Sequence, residues 1–186
     1  MTKGIKSGRL WSVSGNLWAE VKRAMYYGES QTSLDDKGRT TVPVQFRTIM
    51  EALDHDVWFM TRGFDGAIFL FHKEQWQALL QEGATFSPLD PGMLDFRRLF
   101  LGSVAKVKRD RQGRLAIPGH LRDYAGIDRE AVMLGVEDHL ELWSKEGWRA
   151  FQQRQAEEYK AMAAKLFAPK NGPAAANQGE TRDVDD

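Results

Sequence analysis

Apolar residues come in short runs broken by Gly, Asp and Pro, a punctuation that predicts strands joined by turns more than long helices. Ser30 to Leu34 and Ser103 to Lys108 read as strands. Each is followed by an Asp-x-x-Gly turn and a brief β-branched or apolar segment ending at proline, so each is expected to open a β-hairpin. Pro43 and Pro118 stand where a helix starts, since the first position tolerates a missing N–H. Phe46, Ile49, Met50 and Leu53 after the first, and Leu121 and Tyr124 after the second, share one helical face. A second strand pair is predicted at Val57 to Met60 and Ala67 to Phe71, around Gly63-Phe64-Asp65-Gly66. It recurs at Val132 to Val136 and Leu140 to Trp143, around Glu137-Asp138. Helices are expected from near Lys73 and near Lys145. Ser144 caps the latter, which runs to about Phe167, and Met93 to Phe100 forms a further helix between the halves.

The pattern repeats because the text repeats. Leu34 to Arg47 reads LDDKGRTTVPVQFR and Arg109 to Arg122 reads RDRQGRLAIPGHLR, in register at an offset of 75 residues. Asp35, Gly38, Arg39, Pro43 and Arg47 recur as Asp110, Gly113, Arg114, Pro118 and Arg122. After a small gap, Leu70, Lys73, Glu74 and Trp76 recur as Leu142, Lys145, Glu146 and Trp148. The chain is a duplicated unit, with a first half-domain at 25–90 and a second at 91–168. Residues 1–24 stand outside the repeat as an N-terminal extension, Met25 being a plausible start, and both they and the Pro-, Ala- and acid-rich 169–186 are expected to be disordered.

Charge complicates the picture. The 186 residues hold 26 Lys and Arg against 26 Asp and Glu, a net charge of zero, whereas nucleic-acid binders usually carry a basic excess. The extension holds +4, the tail −2 and the remaining body −2. One copy of that body would hold DNA weakly through charge alone, so a DNA function requires locally gathered bases or several copies. The absence of cysteine fits a reducing cytoplasm and excludes disulfides and thiolate metal sites, and no apolar run approaches the roughly 20 residues of a membrane-crossing helix.

Four stretches carry a resemblance: Tyr26-Tyr27-Gly28-Glu29, DDKGRTTVPVQFR, TRGFDGAIFLF from Thr61, and DRQGRLAIPGHLRDYAGI. Together, in this order, they resemble the MraZ family of the AbrB/SpoVT superfamily, over about Met25 to Phe167. The resemblance implies a mainly β fold with peripheral helices, a swapped-hairpin, double-split β-barrel built from two pseudo-twofold-related repeats. It also implies ring-like homo-oligomers that bind repeated short boxes in double-stranded promoter DNA upstream of the division and cell-wall gene cluster. The chain's own promoter would be among them, and the protein would associate with the nucleoid.

Within that frame Arg39 and Arg114, directly after the turn glycines, are the first candidates for DNA contact, because a guanidinium fork can grip guanine O6 and N7 or a phosphate. Lys37 adds a mobile charge to the first turn where the second has Gln112, so Arg39→Ala is expected to cost more than Arg114→Ala; Arg109 and Arg111 partly compensate. Asp35, Gly38, Asp110 and Gly113 are read as shaping the turns. The competing reading of the two arginines is an ion pair with Asp35 or Asp110, and both roles are compatible. Arg47 and Arg122 are assigned to ion pairs, and Arg62 to an aromatic face or a phosphate or subunit contact. Trp58, Phe59, Phe64, Phe69 and Phe71, with Trp76, Trp143 and Trp148, are assigned to packing over base stacking, and Glu157 and Glu158 to a solvated helix face.

Rival classes remain. His55, His72, His120 and His139 are scattered, without an i,i+4 pair, and no nucleophile elbow or phosphate loop is present, so neither an enzyme nor a metal or cofactor site is expected. An AbrB-like antitoxin or other protein-interaction module would also use such hairpins, normally with one hairpin unit and a disordered partner-binding tail; two joined units favour the regulator.

Overall fold

A computed structural model describes residues 25–83 and 91–167, so the expected disorder of 1–24 and 169–186 lies outside the described residues. The chain divides into two units, Met1–Phe151 and Gln152–Asp186.

The first repeat supplies β1 (Tyr26–Ser33), β2 (Arg39–Thr41), α1 (Val44–Ala52), β3 (Val57–Arg62), β4 (Ile68–His72) and α2 (Lys73–Gly83). There follow α3 (Pro91–Gly102), β5 (Ala105–Lys108), β6 (Arg114–Ala116), α4 (Gly119–Ala125), β7 (Glu130–Glu137), β8 (His139–Ser144) and α5 (Lys145–Leu166). Each strand and helix expected from the pattern is present, with ends displaced by a few residues, although the partners of the strands differ. Pro43 and Pro118 occupy the positions just before α1 and α4. Ser144 accepts the Gly147 N–H at 3.2 Å, the cap expected of it.

The fold is mainly antiparallel sheet with several helices. One six-stranded sheet runs β1-β7-β8-β4-β3-β5, and β2 pairs with β6 in a separate two-stranded ribbon. Among the described residues, β3–β4 and β7–β8 pair as local hairpins, whereas β1–β7, β4–β8, β3–β5 and β2–β6 all join one repeat to the other.

This corrects the simplest expectation for the Asp-x-x-Gly turns. The segment after the first turn touches the end of β1 only briefly, through the Leu34–Thr40 bridge and the Thr32 hydroxyl, which meets Thr40 Oγ1 at 2.9 Å and donates to the Thr41 carbonyl at 3.0 Å. The ladder goes to β6 with Arg39 opposite Ala116, Thr40 opposite Leu115 and Thr41 opposite Arg114. Arg39, Thr40, Thr41 and Val42 stand between the turn and Pro43, whose ring ends ladder donation, and the first three of them form the ladder to β6. Crossing to the other repeat lets Thr40 and Leu115 bury their side chains completely in one shared core.

That core is built from both repeats. Tyr26, Phe46, Met50, Trp58, Met60, Ile68 and Leu70 from the first, and Leu115, Leu121, Met133, Leu140 and Leu142 from the second, are fully buried in it. A smaller cluster of Ala67, Val132, Leu134 and Trp143 packs on Phe69, Trp148 and Phe151. Among the described residues no helix is long and apolar enough to cross a membrane.

Candidate nucleic-acid interface

The β2/β6 ribbon has an inner and an outer face. Pleating turns Thr40 and Leu115 inward, and Arg39, Thr41, Arg114 and Ala116 outward. A turn enters the ribbon at each end, because the strands are antiparallel: the Ile117 N–H donates to the Gly38 carbonyl at 2.9 Å, and the Val42 N–H to that of Gly113 at 3.2 Å.

Each turn is closed by its aspartate. Asp35 Oδ1 accepts the backbone N–H groups of Lys37 and Arg39 at 2.9 and 3.0 Å, and its Oδ2 accepts the Arg39 Nε–H at 2.8 Å, with Nη2 at 2.7 Å. Asp110 does the same for Gln112 and Arg114, at 2.9 and 2.9 Å to the backbone and 2.8 and 2.7 Å to the guanidinium. The Arg39 hydrogen bond and two backbone N–H groups hold the Asp35 carboxyl down at about 2. Asp110 is lowered by the Arg114 backbone N–H and guanidinium, while Asp35 raises Arg39. The two pairs meet across the ribbon, with Arg114 Nη1 lying 3.9 Å from Asp35 Oδ2.

The expected ion pair is therefore present, and it leaves part of each arginine available. Each aspartate takes the Nε–H and one Nη2–H of its own arginine, Arg114 Nη1 also faces Asp35, and the Arg39 and Arg114 side chains keep 30% and 24% of their exposure. The pair also fixes the direction of the guanidinium.

Gly38 and Gly113 have φ of 70° and 75°, a backbone region costly for other residues. Each also lies beneath an arginine of the other repeat, so that a Cβ at Gly38 would meet Arg122 at 2.9 Å and one at Gly113 would meet Arg47 at 2.9 Å. The arginines after the prolines thus cover the opposite turn, a reciprocity that single-repeat reasoning cannot find. Arg47 also lies 3.9 Å from Glu51.

The family model for the MraZ protein, whose description adds "antitoxin-like", matches residues 25–96 and again 100–168, one match for each half of this ribbon. The chain belongs to the MraZ family. It is 36% identical over 142 residues to a protein named transcriptional regulator MraZ in Thermomicrobium roseum, covering 76% of this chain and 97% of that one. Identically named proteins of Syntrophomonas wolfei and Lactiplantibacillus plantarum are each 36% identical, covering 76% and 77% of this chain and 96% and 99% of theirs. The matched span leaves out the N-terminal extension and the C-terminal tail of this MraZ-family chain.

Of the six cationic or polar candidates, Lys37, Arg39, Arg111, Gln112 and Arg114 lie on the ribbon or its turns, Lys37, Arg111 and Gln112 being exposed. Arg109 does not join them. Its side chain is 14% exposed and is held by Glu51 at 3.0 Å and Asp56 at 2.9 Å, fastening the end of β5 to α1 and the loop before β3. Asp36, absent from the expected set, faces solvent beside Lys37 and pairs with Arg129 at 3.1 Å. Arg62 takes the aromatic option, its guanidinium 5.0 Å from the Tyr124 ring. Trp58, Phe71, Trp76 and Trp143 are buried, as assigned, whereas Phe64 at the β3–β4 turn is exposed.

Sequence reasoning also missed a meeting of histidines. His55, before β3, and His72, at the end of β4, stack with ring centroids 4.0 Å apart, and Glu74 joins them. Their separation in sequence resembles no ligand motif; only the β3–β4 hairpin brings them together.

Proposed function

We propose that this chain is a sequence-specific, DNA-binding transcriptional regulator that inserts the outer face of the β2/β6 ribbon into the major groove. The observation that carries this reading is the pair of opposed turns whose aspartates hold Arg39 and Arg114 on the outer face of the ribbon with part of each side chain still exposed. A two-stranded ribbon is of a size the major groove admits. The names of the relatives support the same class. Arg39 and Arg114 supply base or phosphate recognition, Lys37 and Arg111 phosphate affinity, and Gln112 a polar contact; Asp35, Gly38, Asp110 and Gly113 hold the geometry. Arg109 is left out, because both ends of its guanidinium are engaged inside the fold.

The cross-repeat ladders support a swapped-hairpin, double-split barrel in which the half-domains at 25–90 and 91–168 exchange strands. Because Asp35 and Asp110 cancel the charges of Arg39 and Arg114, one ribbon attracts DNA weakly, which favours ring-like homo-oligomers that place several ribbons on repeated short boxes. Repression of the division and cell-wall gene cluster, including the chain's own promoter, follows from occupying those boxes, and the protein works in the cytoplasm at the nucleoid.

The test is fluorescence anisotropy with the chain's own upstream promoter DNA against a scrambled duplex of equal length, at two salt concentrations. Preference for the promoter that survives the higher salt is expected. Equal, salt-sensitive binding to both duplexes, or none, would overturn sequence-specific regulation and favour the antitoxin-like reading, in which the ribbon faces a protein.

A further inference from the structure

His55, His72 and Glu74 come from the loop before β3, the last residue of β4 and the first turn of α2. A ligand atom from each lies within 4.8 Å of the other two. Both imidazoles are more than nine-tenths buried, with side-chain exposures of 8% and 7%, whereas Glu74 is 68% exposed and forms the mouth of the cluster. Glu74 Oε2 is 3.9 Å from His55 Nε2 and 3.1 Å from His72 Nδ1. The other nitrogen of His55, Nδ1, is 2.9 Å from the buried Tyr26 hydroxyl.

Stacking alone does not account for this set, since phenylalanine would stack without the cost of burying ring nitrogens. Two imidazole nitrogens and a carboxylate are a donor set for borderline divalent ions, and a ligating histidine characteristically has its second nitrogen tied to another group, as Tyr26 ties His55. We propose that His55, His72 and Glu74 form a binding site for a divalent transition-metal ion of zinc's class, taken by His55 through Nε2, by one ring nitrogen of His72 and by the Glu74 carboxylate. Water fills the remaining positions at the exposed mouth.

The ring planes are within 10° of parallel, and an ion sits near the plane of each imidazole it binds, so binding turns the rings apart from their stack. The contact from the Gln75 N–H to His72 Nδ1, already long at 3.4 Å, is the one that yields if Nδ1 is the ligand. Such an ion ties the loop before β3 to the start of α2 and, through Tyr26, to β1. It belongs to the first repeat alone, because Ser144 stands where the second repeat would need the counterpart of His72.

Zinc titrated into the full chain against a chromogenic chelator tests this, with cobalt as a spectroscopic probe of the ligands. One ion per chain is expected, with cobalt ligand-field bands of nitrogen and oxygen ligation and a rise in Tm on zinc addition. Glu74→Gln, at the exposed mouth, is expected to weaken binding at least about tenfold, and Tyr26→Phe roughly ten- to a hundredfold. His55→Phe with His72→Phe keeps stacked rings in the core and is expected to abolish binding. If that double variant does not fold, Glu74→Gln and Tyr26→Phe decide alone. No stoichiometric binding, or binding indifferent to these changes and lost with His120→Asn or His139→Asn, overturns the site. None of these readouts depends on DNA.

Discussion

The two turns of the ribbon are alike in geometry and different in chemistry. Corresponding hydrogen bonds of Asp35 and Asp110 agree within a tenth of an ångström, and both turn glycines lie under an arginine of the opposite repeat. The intervening residues differ completely: Asp36 and Lys37 in the first turn, Arg111 and Gln112 in the second. The backbone scaffold is duplicated, whereas the exposed turn residues are not. Lys37 by itself suggests a more basic first turn, yet Asp36 offsets it and Arg129 in turn offsets Asp36. Arg111 restores to the second turn the charge that Gln112 lacks.

The largest expected effect concerns the arginines. Arg39→Ala and Arg114→Ala are each expected to weaken promoter binding by roughly tenfold or more, and by amounts within about twofold of each other, because identical closures aim both side chains. This revises the ranking drawn from Lys37 alone. A much larger loss for one variant in parallel titrations at fixed salt would show that the two half-ribbons meet DNA unequally.

Next come the glycines. Gly38→Ala and Gly113→Ala each place a side chain at positive φ and against Arg122 or Arg47, with an expected loss of about 1 to 3 kcal/mol in thermal unfolding. Destabilisation by only one of them would break the reciprocity of the two turns.

Acid titration sharpens the comparison further. The carboxyl of Asp35 is held at about 2, below its ordinary 3.8, so its contribution to stability is fully present above 3.8 and is lost as pH falls through about 2. Asp110 is lowered in the same direction. Carboxyl NMR shifts followed with pH are expected to show both titrating below a reference aspartate; an ordinary midpoint at either would mean that its turn is open in solution.

The smallest effects belong to the exposed charges. Lys37→Gln and Arg111→Gln are each expected to lower the salt slope of DNA binding by about 1 with little change in base preference. A change of preference between boxes would make either residue a reader of bases.

Much of the fold was legible because short-range chemistry writes it. The Asp-x-x-Gly turns, the prolines before α1 and α4, the strand runs around Gly63-Phe64-Asp65-Gly66 and the Ser144 cap each depend on a few neighbouring residues, and each appears where the pattern places it. The local pattern did not show the pairing of β2 with β6, which entered only as an implication of the family resemblance, because strand partners are chosen by burial over long sequence distances, and Thr40 alone does not reveal that Leu115 completes its side of the core. Arg109 shows the same limit at the candidate site. Its text, beside Asp110 and Arg111, is that of a turn cation, yet Glu51 and Asp56 arrive from elsewhere in the chain to hold it.

By itself, then, the sequence determined the duplication, the turn chemistry, the element order and the two arginines that flank the turns, since all of these reside in residue types at fixed local spacing. Tertiary structure alone decided which strands pair, which cations stay at the surface, that Arg47 and Arg122 cover each other's turns, and that His55 and His72 share one pocket of the core. Contacts of that kind come from packing two repeats into a common interior, where position in space rather than position in the chain sets the partner.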